Sequence, residues 1–125
     1  MSALDEARSH LCKAREFLEA AELNLDHELF NAATSAAVTS GINAKDAVCL
    51  ALVGATGKSD GHVAAVAELR QAGGSAAQLA TTLGRLLRLK SKSQYQAVGV
   101  ARTDAIKAVE WATKLVDGAT IILQR

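Results

Sequence analysis

LDEARSHLCKAREFLEAAELNL, residues 4 to 25, sets Leu4, Ala7, Leu11, Ala14, Leu18, Ala21 and Leu25 alternately three and four positions apart. That spacing keeps one apolar stripe on one side of an α-helix. Ser2, followed three residues later by Asp5, has the pattern of a capping box, so a helix is expected over about residues 3 to 28. Its acids fall on the outer faces. Alanine at every second seam position suits close approach of an antiparallel neighbour in a bundle better than a two-stranded coiled coil.

The rest of the chain continues in helical terms. The 125 residues are half hydrophobic, only 3% aromatic and free of proline. Alanine- and leucine-rich sequence without the commonest helix breaker favours an all-α fold. The length suits one domain, residues 1–125. A second helix is expected from a cap at Asn31 to Val53, ended by Gly54; it is small and apolar nearly all round, which predicts the most buried position. Gly41 within it serves either close packing or a bend. A third helix is expected from about Gly61 to Ala72, and a fourth from a capping box of Ser75 and Gln78. Leu79, Leu83, Leu86 and Leu87 share a face of that fourth helix, whose end falls between Lys90 and Tyr95, and a fifth begins at Thr103 and Asp104.

Asn43, Lys45 and Asp46 interrupt the apolar run from Ala32 to Val53 and argue against a membrane span. No apolar signal region opens the chain, so a cytoplasmic protein is expected. Cys12 and Cys49 lie on apolar helical faces and are expected to be buried free thiols.

Several chemical motifs can be set aside. Gly57, Lys58 and Ser59 end like a phosphate-binding loop, but Leu52 stands where its first glycine belongs and a helix precedes it. His10, His27 and His62 are scattered and expected to face solvent; His10 and Cys12 lie about 200° apart around a helix, too far to share a metal. No metal or cofactor is implied. Neither cysteine sits in a nucleophile motif, and Glu110 and Trp111 read as a surface acid and a packing anchor.

Charge is more informative. The formal net charge is +1, yet seven acids oppose three bases in the first 30 residues, and residues 69 to 103 contain no acid. Arg85, Arg88, Lys90 and Lys92 crowd into eight positions of that acid-free stretch, followed by Tyr95. A one-signed segment of this kind suits an anionic partner. Arg85, Arg88, Lys90 and Lys92 offer charge to phosphates, Ser91 a hydroxyl, and Tyr95 a ring on which a base can stack. The competing reading is a solvated basic helix end, favourable against the helix dipole.

KAREFLEAAELNL (13–25), FNAATSAAVTSGINAKDAVCLAL (30–52) and LLRLKSKSQY (86–95) together resemble the HEPN domains, the "higher eukaryotes and prokaryotes nucleotide-binding" proteins. Leu89 to Tyr95 is similar to the family's leucine-arginine-asparagine-x-alanine-acid-tyrosine segment. The resemblance implies a four- to five-helix up-and-down bundle, usually a homodimer, that binds or cuts RNA or nucleotides. It also implies membership of a toxin and antitoxin pair, commonly beside a nucleotidyltransferase. Ribonuclease members carry an arginine followed, after four to six intervening residues, by a histidine. Here the same spacing from Arg88 reaches Gln94 and Tyr95, and from Arg85 it reaches Lys90 to Lys92. Glutamine and an ordinary tyrosine are poor general bases near neutral pH. The expected role is therefore a non-catalytic binding module, with a ribonuclease of altered active site and a plain protein-interaction bundle as the alternatives.

Overall fold

A computed structural model describes residues 1–57 and 61–125; Lys58 and Ser59 of the glycine-lysine-serine triplet lie outside the described residues. The described residues form no strand. The helices are α1 (Ala3–Asp26), α2 (Phe30–Val53), α3 (His62–Gln71), α4 (Gly74–Leu87), the five-residue α5 (Lys90–Gln94) and α6 (Arg102–Gln124). The fold is the expected all-α up-and-down bundle, with five helices of ten residues or more among the described residues.

α1 begins as its sequence predicts. The Ser2 hydroxyl accepts from the Asp5 N–H at 3.1 Å, and the Asp5 carboxylate accepts from the Ser2 N–H at 3.3 Å. Hydrogen bonds from Ser2 hold the Asp5 carboxyl below its ordinary value. The heptad seam faces inward: Ala7, Leu11, Ala14 and Ala21 are buried, Leu18 and Leu25 pack against the core, and only Leu4 stands exposed at the end. α1 packs chiefly along α2, where the small alanines allow Ser40 Oγ to reach the Ala14 carbonyl at 2.6 Å. A buried hydroxyl thereby satisfies its hydrogen bond across the helix interface.

α2 is the central element, packed against every other helix. By length and composition alone it could cross a membrane, but 56% of its apolar window is buried in the bundle and Lys45 sits in its buried face. Gly41 is there for close packing. A Cβ on it would lie 2.5 Å from Leu86 Cδ2 and 3.2 Å from Leu115 Cδ1, so α4 and α6 close onto α2 at this point. Gly41→Val should therefore destabilise the bundle by roughly 2 kcal/mol, the usual cost of overpacking a core, read as a lower urea midpoint.

Three helix starts and ends differ from expectation. Leu29, not Asn31, precedes α2, and it makes no side-chain cap. Asn31 Oδ1 instead accepts the Val100 N–H at 2.8 Å, tying the segment before α6 to the start of α2. α4 starts at Gly74, after Gly73 at φ 80°, so the positive-φ glycines and not a capping box define its start. Ser75 Oγ accepts from Arg125 at 3.0 Å. α4 also ends early, at Leu87, and the chain turns into α5 instead of continuing to Tyr95. Gly54 closes α2 in the left-handed conformation, as predicted, at φ 85°. Trp111 packs against the core and Glu110 is exposed, also as predicted.

Candidate functional site

The basic segment occupies the corner between α4 and α5. Leu83, Leu86 and Leu87 are buried, which turns Arg85 in α4's last turn and Arg88, the residue that caps it, to the outside. Leu89 packs on the core, and α5 follows against α2, where Gln94 Nε2 donates to Ser35 Oγ at 3.1 Å. Ser91 is exposed, Lys90 half-buried, and Tyr95 is 75% exposed at the end of α5. Lys92 points elsewhere: its Nζ lies 3.2 Å from Asp104 Oδ2 in the first turn of α6. Arg102 is also engaged, pairing with Glu28 and lying over the Phe30 ring at 4.9 Å. Among the described residues no ion pair involves Arg85, Arg88 or Lys90. The pockets described below are lined by other residues.

A second polar centre lies at the opposite end of α2. Lys45 is 3% exposed, and its ammonium group meets Asp46 Oδ1 at 3.1 Å, Thr56 Oγ1 at 2.9 Å and Glu68 Oε1 at 3.3 Å. Asp46 and Thr56 accept hydrogen bonds from the ammonium group, and Glu68 adds a second carboxylate charge beside it, the pairing that burial of a charge requires. Thr56 Oγ1 donates in turn to Asp46 Oδ1 at 2.6 Å, and the Gly57 N–H donates to Glu68 Oε2 at 2.6 Å. One network therefore joins α2, the chain after it and α3. It also occupies the Gly57 amide, a donor that a phosphate-binding loop would keep free for its ligand.

His10 adjoins this network, contrary to the expectation of a solvent-facing ring. Its side chain is 32% exposed, with Nδ1 2.9 Å from Asn43 Oδ1 and 3.9 Å from Asp46 Oδ2. Asn43 Nδ2 donates to the Thr39 carbonyl at 2.9 Å, which fixes the amide with its oxygen toward His10. Nδ1 therefore carries a proton and donates it to Asn43. A cleft of about 450 Å³ opens beside the ring, lined by Glu6, Ser9, His10 and Lys13 of α1, Leu50 and Gly54 at the end of α2, Ala55 and Thr56. Smaller clefts of about 400 and 280 Å³ lie against Phe30 with Val100, and against Cys49 with Glu68. Among the described residues no group of three or more His, Cys, Asp or Glu could hold a metal ion.

The cysteines part company. Both are free, but Cys12 is exposed while Cys49 is buried. The expected burial of Cys12 fails because the seam of α1 runs through Leu11 and Ala14, leaving position 12 outside it. Burial pushes the Cys49 thiol up to about 11, against a smaller opposing pull from Lys45. Since the reactive species is the thiolate, iodoacetamide should label Cys12 and spare Cys49 until the protein unfolds. The raised value also gives a sign for stability. The unfolded thiol ionises first, so Cys49's contribution is complete below about pH 9 and is lost as pH rises toward 11.

Sequence reasoning drew attention to the charge of the segment from Arg85 to Tyr95 but missed the Lys45 network. The signal was present: a lysine and an aspartate side by side within a helix otherwise apolar on all sides require buried partners if that helix is central. His10 could not be read the same way, because Asn43 and Asp46 are more than 30 positions away along the chain.

A comparison with curated proteins returned no match. The HEPN domain family model matches residues 7–121, from the first buried alanine of α1 to near the end of α6, and so takes in the whole arrangement just described. With that coverage and an all-α bundle built around α2, the chain belongs to the HEPN domain family.

Proposed function

We propose that the chain is a non-catalytic HEPN module that binds single-stranded RNA or a nucleotide through its α4–α5 corner and works as a homodimer within a toxin and antitoxin type pair. The observation that carries this reading is the set of Arg85, Arg88 and Lys90, none of them in an ion pair among the described residues, beside a Tyr95 that is 75% exposed. Unpaired cations supply sequence-independent attraction to phosphates, and an exposed ring supplies a stacking surface for a base. Lys92 contributes less than its sequence position suggests, since Asp104 already neutralises it. Ser91, exposed between the two lysines, can donate to a phosphate oxygen.

Two features support the remaining parts of the proposal. Leu4 and Leu23 on α1 and Ile106 and Ile121 on α6 leave apolar surface that a second copy could cover. Binding without cleavage follows from the absence of a histidine at the family's spacing after Arg85 or Arg88. A labelled single-stranded oligoribonucleotide incubated with the purified chain should be retained and remain intact. Cleavage that is lost in Arg88→Ala would favour the ribonuclease alternative. No retention at low salt would leave a protein-interaction bundle.

A further inference from the structure

We propose that the cleft between the start of α1 and the end of α2 binds a small phosphomonoester bearing hydroxyl groups, with His10 and Lys13 holding the phosphate and Glu6 accepting from a ligand hydroxyl. This site is separate from the α4–α5 corner and does not depend on RNA binding there.

Glu6, His10 and Lys13 stand four and three residues apart and form one stripe along α1, all lining the same cleft. His10 is held in place from behind: Asn43 Oδ1, itself oriented by the Thr39 carbonyl, takes the Nδ1 proton. That leaves Nε2 as the nitrogen for a ligand, and it has no partner among the described residues. When a phosphate dianion enters, Nε2 takes up a proton and donates it to a phosphate oxygen. The resulting imidazolium is then flanked by the phosphate on one side and Asp46 Oδ2, 3.9 Å from Nδ1, on the other. Lys13, one turn along the helix, supplies the second positive charge.

The far wall is rigid because Thr56 is tied to Lys45 and Asp46. About 450 Å³ is the size of a small-molecule site and more than a bare ion fills. Leu50 and Ala55 give the cleft an apolar side against which the carbon skeleton of a sugar can lie. Among the described residues, the charged groups that line the cleft or pair beside the His10 ring are Met1 with its amino group, Glu6 and Lys13 of α1, and Asp46 and Lys45 of α2, with Glu68 of α3 behind Lys45.

Histidine side-chain NMR on the full chain tests the site, with ribose 5-phosphate as probe. The expected result is a saturable shift of the His10 ring signals with little change at His27. Lys13→Gln, a surface change that leaves the core intact, should weaken binding roughly tenfold, the loss of one charge-assisted contact. An Arg85→Ala/Arg88→Ala variant should bind the probe like the parent chain, which keeps this outcome independent of the RNA result. The proposal is overturned if millimolar probe leaves His10 unmoved or if Lys13→Gln binds equally well. Inorganic phosphate binding as tightly as ribose 5-phosphate would overturn the assignment of Glu6 to a ligand hydroxyl.

Discussion

Replacing Lys45 with alanine is expected to lower the unfolding free energy by about 3 kcal/mol, measured by urea titration at neutral pH. The side chain is 3% exposed and, among the described residues, supplies the only ammonium group in a network with two carboxylates. Removing it leaves Asp46 and Glu68 without their cation and Thr56 without one of its two partners. Stranding a buried charge costs far more than the net worth of the pair. The expected value sits at the low end for buried pairs because Glu68 is 29% exposed and water can solvate part of its charge. Hydrogen exchange of the Gly57 amide should quicken at the same time, since Glu68 Oε2 would no longer be held against it. A loss below about 1 kcal/mol would mean that the network orders the chain after α2 without stabilising the bundle.

The second large effect concerns the α4–α5 corner. Arg85→Ala/Arg88→Ala is expected to weaken binding of a single-stranded oligoribonucleotide roughly thirtyfold at low salt, as each exposed arginine–phosphate contact contributes about 1 kcal/mol after screening. Both side chains point away from the core, so thermal stability should be unchanged. Lys92→Ala should have a smaller effect on RNA, because its charge is already balanced by Asp104. Tyr95→Ala should weaken binding without altering its salt dependence, since stacking carries no counterion release.

The long elements of the fold were legible because their periodicity is local. Seven seam positions of α1 announce its inward face, and the all-round apolar character of α2 announces its central place. Gly54 could be recognised because a left-handed residue at a helix end requires no distant partner. Asn31 and Ser75 misled for the opposite reason. Both have capping chemistry, but Val100 and Arg125, about 69 and 50 positions away, recruit their side chains. A sequence pattern cannot register that competition. The same limit separates the two polar sites. The basic corner is contiguous in sequence and could be found by its missing acids, whereas His10, Asn43, Asp46, Thr56 and Glu68 are brought together only when α1, α2 and α3 pack. Even at the corner, only the structure shows that Lys92 is paired and that, among the described residues, Arg85, Arg88 and Lys90 are not.

The most direct measurement is the affinity of the chain for single-stranded RNA across a salt series, plotted as the logarithm of the binding constant against the logarithm of salt concentration. Three phosphate contacts from Arg85, Arg88 and Lys90 predict a slope of about −2, shrinking to about −0.7 in the Arg85→Ala/Arg88→Ala variant, which keeps Lys90. A flat line for the parent chain, or a slope that the double substitution leaves intact, would contradict RNA binding through this corner.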